Sequence, residues 1–101
     1  MSDALGEAEL AEIEQRAALA FAAAPTPWAS FLETGGGLGG ESFIRLGSDP
    51  VHDDELYVRL YRASQQIVSP DVRLDAVIDF VAHAAEDIPR LIAEVRRLRT
   101  S

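Results

Sequence analysis

A run of glycine in the first half of the chain limits the folds that are open to it. Five of the seven glycines fall within residues 35–40. Glycine loses more conformational freedom on folding than any other residue, so such a run favours a loop over a helix or strand. The apolar segments on either side, residues 28–33 and 42–46, have the composition of short strands. The sequence therefore predicts a β-hairpin with a long, mobile turn.

The segment before this hairpin predicts a helix over residues 7–24. Its apolar residues recur at helical spacing, and many of them are alanine, the best helix former. Glu7 and Glu9 fall in the first turn, where negative charge suits the helix dipole. Pro25 and Pro27 follow the last apolar position and end the helix.

Residues 55–61 fit both a strand and a helix. Apolar and polar side chains alternate from Leu56 to Tyr61, which favours a strand. Apolar residues also continue at helical spacing as far as Ile67, which favours a helix. We interpret residues 55–61 as a third strand.

The C-terminal part predicts two helices with a break between them. Ser69 is placed as the N-cap of the first helix, with Pro70 at its first position. Pro89 breaks the apolar stripe, and Asp87 is a suitable cap for the second helix. We therefore expect one α+β domain over residues 1–101: an N-terminal helix, a small antiparallel sheet of about three strands, and a C-terminal helix–break–helix.

Composition and charge exclude several classes of protein. The chain has no cysteine, which excludes disulfides, thiolate nucleophiles, zinc fingers and iron–sulfur clusters. The absence of disulfides is typical of proteins in the reducing cytoplasm, where we expect this protein to be located. No apolar run approaches about 18 residues, so we expect no membrane contact, and the acidic start is unlike a secretory signal. The net charge of −8 disfavours non-specific nucleic-acid binding, because phosphates need a cationic surface.

The charge is unevenly distributed. Residues 1–14 carry five acids and no base, whereas the tail from Ile88 carries four arginines and one glutamate. Opposite charges at the two ends favour self-association, a charged partner, or pairing of the tail with the N-terminal helix, although they also serve solubility.

Three segments resemble a known group of proteins. Residues 79–98 read D-F-V-A-H-A-A-E-D-I-P-R-L-I-A-E-V-R-R-L, residues 27–33 read P-W-A-S-F-L-E, and residues 42–44 read S-F-I. These motifs resemble those of a family of small accessory proteins from actinobacteria, related bacteria and their phages. The resemblance implies an α+β fold with helical ends and a phage or mobile-element setting, and it implies no catalytic residues. Ala85 departs from the arginine usual in that family, and residues 61–73 resemble an insertion.

The glycine run contains a match to a nucleotide-binding pattern. Gly35, Gly37 and Gly40 fit G-x-G-x-x-G, but a strand rather than a helix follows, and the chain has no lysine for a Walker loop. We interpret the run as a flexible hairpin loop. In an alternative interpretation Gly36 and Gly37 belong to a lid over a small ligand.

The strongest candidate for a binding surface is Tyr57, Arg59 and Tyr61. Alternating tyrosine and arginine is typical of protein interfaces, and also suits stacking on a base and contact with phosphate. The alternative is an outer sheet face packed on a neighbouring helix. Arg90, in the basic tail, is a further candidate for binding a partner or a phosphate.

Two groups of residues have the composition of metal sites. The first is the run His52 to Glu55, and the second is Asp79, His83 and Asp87 at helical spacing. Adjacent residues rarely converge on one ion, and an exposed histidine beside carboxylates more often has a shifted pKa only. We therefore expect no metal, no cofactor and no catalytic residue.

Taken together, these patterns favour a non-enzymatic binding protein that sequesters or masks a partner, such as a component of host defence, as a homodimer. The partner is a protein or a small nucleotide-like ligand. Three alternatives stay open: a sponge that holds an anionic nucleotide signal between protomers, an acidic antitoxin or immunity protein, and a small metal-dependent hydrolase around His52 or His83.

Overall fold

The computed structural model describes residues 4–36, 39–49, 51 and 53–100, and confirms the α+β class. In chain order the elements are α1 (Glu7–Ala23), β1 (Trp28–Phe31), a 3₁₀ turn (Glu33–Gly35), β2 (Phe43–Leu46), β3 (Asp54–Leu56), β4 (Leu60–Arg62), β5 (Gln65–Ile67) and α2 (Val72–Thr100). Strands β1–β3 form one sheet in the order β1-β2-β3, and β4 and β5 form a second.

The helix predicted over residues 7–24 is confirmed as α1, which ends one residue earlier. Its first turn is closed by the backbone N–H of Gly6, which donates to Glu9 Oε1 at 2.9 Å. At the other end Pro25 has no N–H to donate and cannot extend the helix.

The predicted hairpin across the glycine run is also confirmed, because β1 and β2 pair antiparallel. Ser30, Ile44 and Leu56 are opposite one another in the three strands, on the face that meets α2. Phe31 pairs with Phe43 on the opposite face. Alternate residues of each strand therefore serve different faces of the sheet.

The single strand predicted over residues 55–61 is wrong. Strand β3 ends at Leu56, and after an irregular link β4 begins at Leu60 and pairs with β5 in the second sheet. The pairing between β2 and β3 ends near Phe43, the first residue of β2. The backbone N–H of the preceding residue, Ser42, donates to Ser69 Oγ at 3.0 Å and is not available to extend that pairing.

The second sheet is a hairpin that the sequence analysis did not foresee. Its two-residue turn is Ala63-Ser64, with Ala63 at a φ of 55°. Glycine, asparagine or aspartate usually occupies such a position, and none is present here. The turn therefore has no recognisable signal in the sequence.

The predicted helix–break–helix is also wrong, because α2 is one helix of 29 residues with Pro89 inside it. Proline within a helix costs about 3 kcal/mol, since it removes a hydrogen bond and crowds the preceding turn. Ala85 and Ile92, each 8% exposed, are buried on either side of it. Continuous burial across this point outweighs the local cost, so Asp87 lies inside the helix and does not cap one.

The N-cap of α2 is Asp71 rather than Ser69. Asp71 Oδ1 accepts hydrogen bonds from the backbone N–H of Arg73 at 2.8 Å and of Leu74 at 3.3 Å. The Arg73 guanidinium also binds this carboxylate, and that hydrogen bond holds the pKa of Asp71 well below its usual value.

The N-terminal half of α2 packs on the three-stranded sheet, and this contact forms the core. Its buried members are Ile44, Leu74, Ile78 and Ala82. Partly buried side chains packed against them come from both sheets, from the links and from α2 itself: Trp28, Leu32, Leu46, Val58, Leu60, Ile67 and Val81.

The C-terminal half of α2 packs on α1, where Leu10 is only 1% exposed. At the surface the Arg96 guanidinium binds both Glu7, at 2.7 Å, and Glu14. Arg99 lies 3.4 Å from Glu7. The basic tail is therefore paired with the acidic N-terminal helix of its own chain, which is one of the outcomes predicted from the charge pattern.

No helix within the described ranges is both long and apolar enough to cross a bilayer.

Candidate functional site

The three-stranded sheet has one face against α2 and one face that is open to solvent. We call the open side the outer face. Phe31 and Tyr57 on this face are each 46% exposed, whereas Ile44 on the inner face is fully buried. The outer face consists of Ala29, Phe31, Phe43, Arg45, Glu55 and Tyr57.

Three aromatic rings form a continuous stack on the outer face. The ring centroids of Phe31 and Phe43 are 5.2 Å apart with planes 14° from parallel. The centroids of Phe43 and Tyr57 are 5.6 Å apart at 29°. Strand register explains the stack, because Phe31 pairs with Phe43 and Tyr57 directly follows β3 beside Phe43. We call these three rings the aromatic stack.

Negative charge from three carboxylates acts on the tyrosine end of the stack, and one of them, Glu55, contacts Tyr57. The Tyr57 hydroxyl donates to Glu55 Oε1 at 2.8 Å. This hydrogen bond, together with desolvation and the negative charges of Glu55, Glu41 and Asp53, raises the pKa of Tyr57 above its usual value. We call these three carboxylates the acidic rim.

The one cation that the β1–β3 strands place on the outer face is already engaged. Arg45 Nη2 lies 3.5 Å from Asp53 Oδ1 in the acidic rim. Arg45 is also opposite Glu55 in the ladder between β2 and β3. The charge near the stack is therefore predominantly negative.

The two ends of the glycine loop are anchored beside the stack. The backbone N–H and hydroxyl of Thr34 donate to Asp75 Oδ2 at 3.0 and 2.5 Å, and the N–H of Glu33 donates to Ser42 Oγ at 2.9 Å. Burial acts to raise the pKa of Asp75, but hydrogen bonds from Ser42 and Thr34 lower it below its usual value. The ionised carboxylate thus ties α2 to the base of the loop.

The structure separates the residues predicted to bind a partner. Tyr57 lies on the outer face, Arg59 in the link after β3, and Tyr61 in β4 opposite Gln66. The prediction of one Tyr/Arg surface depended on a single strand, but Tyr57 directly follows β3 of the first sheet whereas Tyr61 belongs to β4 of the second. Gly36 has a φ of 97° at the end of the 3₁₀ turn, whereas Gly37 lies outside the described residues.

Arg90 lies far along α2, with its guanidinium 3.7 Å from Glu86 Oε1. It lines a shallow groove of about 460 Å³ together with Asp87, Leu91 and Glu94. Two carboxylates in this groove make it a poor fit for phosphate. Arg90 is therefore not part of the outer face.

Sequence reasoning found Tyr57 but missed Phe31 and Phe43. These phenylalanines are each six residues from Gly37, in segments predicted to form a hairpin. A hairpin turn centred on that position makes them cross-strand neighbours, and this symmetry is present in the sequence.

A second polar cluster joins β1 to α2. Ser30 Oγ donates to Asp79 Oδ1 at 2.7 Å. His83 Nδ1 lies 2.9 Å from the backbone carbonyl oxygen of Asp79 and 3.3 Å from the side-chain Oδ1 of the same residue. The Asp79 carbonyl and its nearby carboxylate raise the pKa of His83. A serine nucleophile needs contact with a base, but here the carboxylate stands between Ser30 and His83.

The two groups of residues with the composition of metal sites gain no support from the geometry. Across the part of the chain that the structure describes, no three histidine, aspartate or glutamate side chains come close enough to hold an ion. His52, in the first of the two groups, lies outside the described residues.

Comparison with family models, with curated proteins and with solved structures finds no match to this chain.

Proposed function

We propose that this protein is a non-enzymatic binding protein that masks or sequesters a protein partner through the outer face of its three-stranded sheet. The observation that carries the proposal is the aromatic stack, whose two end rings are each 46% exposed. Exposed and contiguous apolar area on a small protein marks an interaction surface.

The stack has the properties of an interface centre. Aromatic side chains bury a large area at a low entropic cost, and they dominate the binding energy of many protein interfaces. The rings hold one another in place, and the base of the neighbouring loop is fixed by Asp75. Such pre-organisation lowers the cost of association.

Charge at the outer face favours this function over the nucleotide sponge. A nucleotide needs donors for its phosphates, whereas the stack is surrounded by the acidic rim and Arg45 is paired with Asp53. An acidic antitoxin or immunity protein is a special case of masking a protein partner, and the same surface serves it. The resemblance to phage accessory proteins supports a mobile-element setting.

The proposed homodimer gains support from a different surface. Because the basic tail pairs with α1 of its own chain, a dimer does not need ion pairs between the tail of one copy and the α1 helix of the other. Phe80 and Leu91 are three turns apart on one side of α2 and are 75% and 60% exposed. We propose this side of α2 for self-association, which leaves the outer face free for the partner.

The function is tested by gentle purification from cells that carry the gene, followed by native mass spectrometry. Wild-type protein is compared with a Phe31→Ala/Tyr57→Ala double variant and with Phe80→Ala, which removes an exposed ring elsewhere. We expect a bound protein on the wild type and on Phe80→Ala, and its loss from the double variant. Equal retention by all three would contradict the proposal, and subunit counts test the homodimer.

A further inference from the structure

We propose that the outer face receives an arginine-rich, cationic segment of the partner protein. This inference rests on the proposed function and names the chemistry of the partner. It is carried by the combination of exposed ring faces and nearby carboxylates on one side of the sheet.

The ring faces provide the first part of the match. Phe43 lies between the other two rings, so Phe31 and Tyr57 each keep one ring face that the stack does not cover. A guanidinium group stacks on such a face by cation–π attraction and by its own planarity. Two ring faces at the ends of one stack suit a segment with more than one arginine.

The acidic rim provides the second part. Glu55 accepts the hydrogen bond of the Tyr57 hydroxyl at 2.8 Å, and Glu41 and Asp53 add negative charge near it. A guanidinium on the Tyr57 ring would lie beside the Glu55 carboxylate, and carboxylates accept guanidinium N–H groups in pairs. Lysine carries the charge but lacks the planar donors, so arginine fits both features together.

The charge of the whole chain acts in the same direction. A net charge of −8 attracts cationic segments over a distance and repels nucleotides. The four arginines of the chain's own tail are paired within α1 and α2: Arg96 and Arg99 contact Glu7, Arg97 contacts Glu94, and Arg90 contacts Glu86. We therefore place the cationic group on the partner.

The test uses a fluorescently labelled oligoarginine peptide, with oligolysine and ATP as comparison ligands, and measures anisotropy. We expect oligoarginine to bind more tightly than oligolysine, with little binding of ATP. Replacing the ring in Tyr57→Leu should weaken oligoarginine binding about fivefold, and Tyr57→Phe, which keeps a ring, should retain most of it.

A matched pair separates local charge from net charge. Glu55→Gln and Glu12→Gln each remove one exposed acid, the first from the acidic rim and the second from α1. We expect Glu55→Gln to weaken binding several-fold and Glu12→Gln to leave it nearly unchanged. Equal effects of the two variants, or equal affinity for oligolysine, would overturn the inference, because net charge alone would then explain binding.

The two proposals fail in different ways. If ATP rather than oligoarginine binds in a manner that depends on Tyr57, the chemistry proposed for the partner is wrong and the outer face is still a binding surface. If the Phe31→Ala/Tyr57→Ala double variant also retains the partner from cells as well as the wild type does, the proposed function itself is wrong. Far-ultraviolet circular dichroism on each variant confirms that a loss of binding does not reflect unfolding.

Discussion

The two faces of the three-stranded sheet are built from alternate residues of the same strands, yet one face is buried and the other is exposed to solvent. On the inner face Ile44 is fully buried beneath α2. On the outer face Phe31, which pairs with its neighbour Phe43, is 46% exposed. Both faces carry large apolar side chains, and only one of them contributes to the core.

An antiparallel sheet with one solvated face usually places polar residues on that side. Here the solvated face keeps three aromatic rings, whose position the core does not require. We expect the inner face to determine stability, and we propose that the outer face serves binding. Four substitutions test this division, from the largest effect to the smallest.

Ile44→Ala tests the inner face. Truncating a fully buried isoleucine removes apolar contacts and leaves a cavity, so we expect the free energy of unfolding to fall by about 3 kcal/mol. Urea denaturation measures this loss. A decrease below about 1 kcal/mol, the cost of a surface change, would show that the core lies elsewhere.

Asp75→Ala tests the connection between α2 and the loop beside the outer face. It leaves the Thr34 N–H and hydroxyl without their acceptor, so we expect a loss of about 1–3 kcal/mol at neutral pH.

The pH dependence of stability checks the same residue. Because the pKa of Asp75 is lowered in the folded protein, its stabilising effect is full above the unfolded pKa, near 3.9, and is lost as the pH falls through the folded pKa. Thermal unfolding of wild type and variant should therefore converge in strong acid. A constant difference at all pH values would contradict a role for the charge.

Phe31→Ala tests the outer face. It removes one stacking contact at a half-exposed position, so we expect the free energy of unfolding to fall by only about 1 kcal/mol. We expect partner binding to be lost in the same variant. Urea denaturation and the partner-retention assay measure the two effects. A destabilisation as large as that of Ile44→Ala would remove the contrast between the faces.

Tyr57→Phe has the smallest expected effect. The raised pKa of Tyr57 means that its hydrogen bond to Glu55 stabilises the fold below about pH 10 and is lost as the pH rises through the folded pKa. In an ultraviolet titration, the tyrosine ionisation that the wild type shows at raised pH should be missing from this variant. Glu55→Gln should bring that ionisation to lower pH, and an unchanged titration would argue against the contact.

Sequence reasoning succeeded where local chemistry determined structure. The alanine-rich helix over residues 7–24 and the hairpin around the glycine run follow from propensity and turn composition, which act over a few residues. It was wrong at Pro89, where the local signal for a break is strong. The helix continues there because Ala85 and Ile92 are buried on either side of Pro89, where α2 packs on α1. The two helices are far apart in the sequence, so a local pattern does not show this contact.

The proposed binding surface was harder to predict than the fold. Tyr57 was proposed from the composition of its segment, but Arg59 lies in the link after β3 and Tyr61 in β4, because β3 ends at Leu56. Phe31 and Phe43 join Tyr57 only through strand register. Register depends on which residues meet across the loop, and composition does not show it.

The position of Trp28 has a practical consequence for optical measurements. It is the only tryptophan in the chain, its indole N–H donates to the Ala24 carbonyl at 2.8 Å, and its ring meets Phe21 edge to face. Its emission therefore reports on the junction of α1, β1 and α2, whereas the aromatic stack lies on the opposite side of the sheet. The tryptophan emission of one unlabelled sample thus detects loss of the fold at a point away from the proposed binding surface.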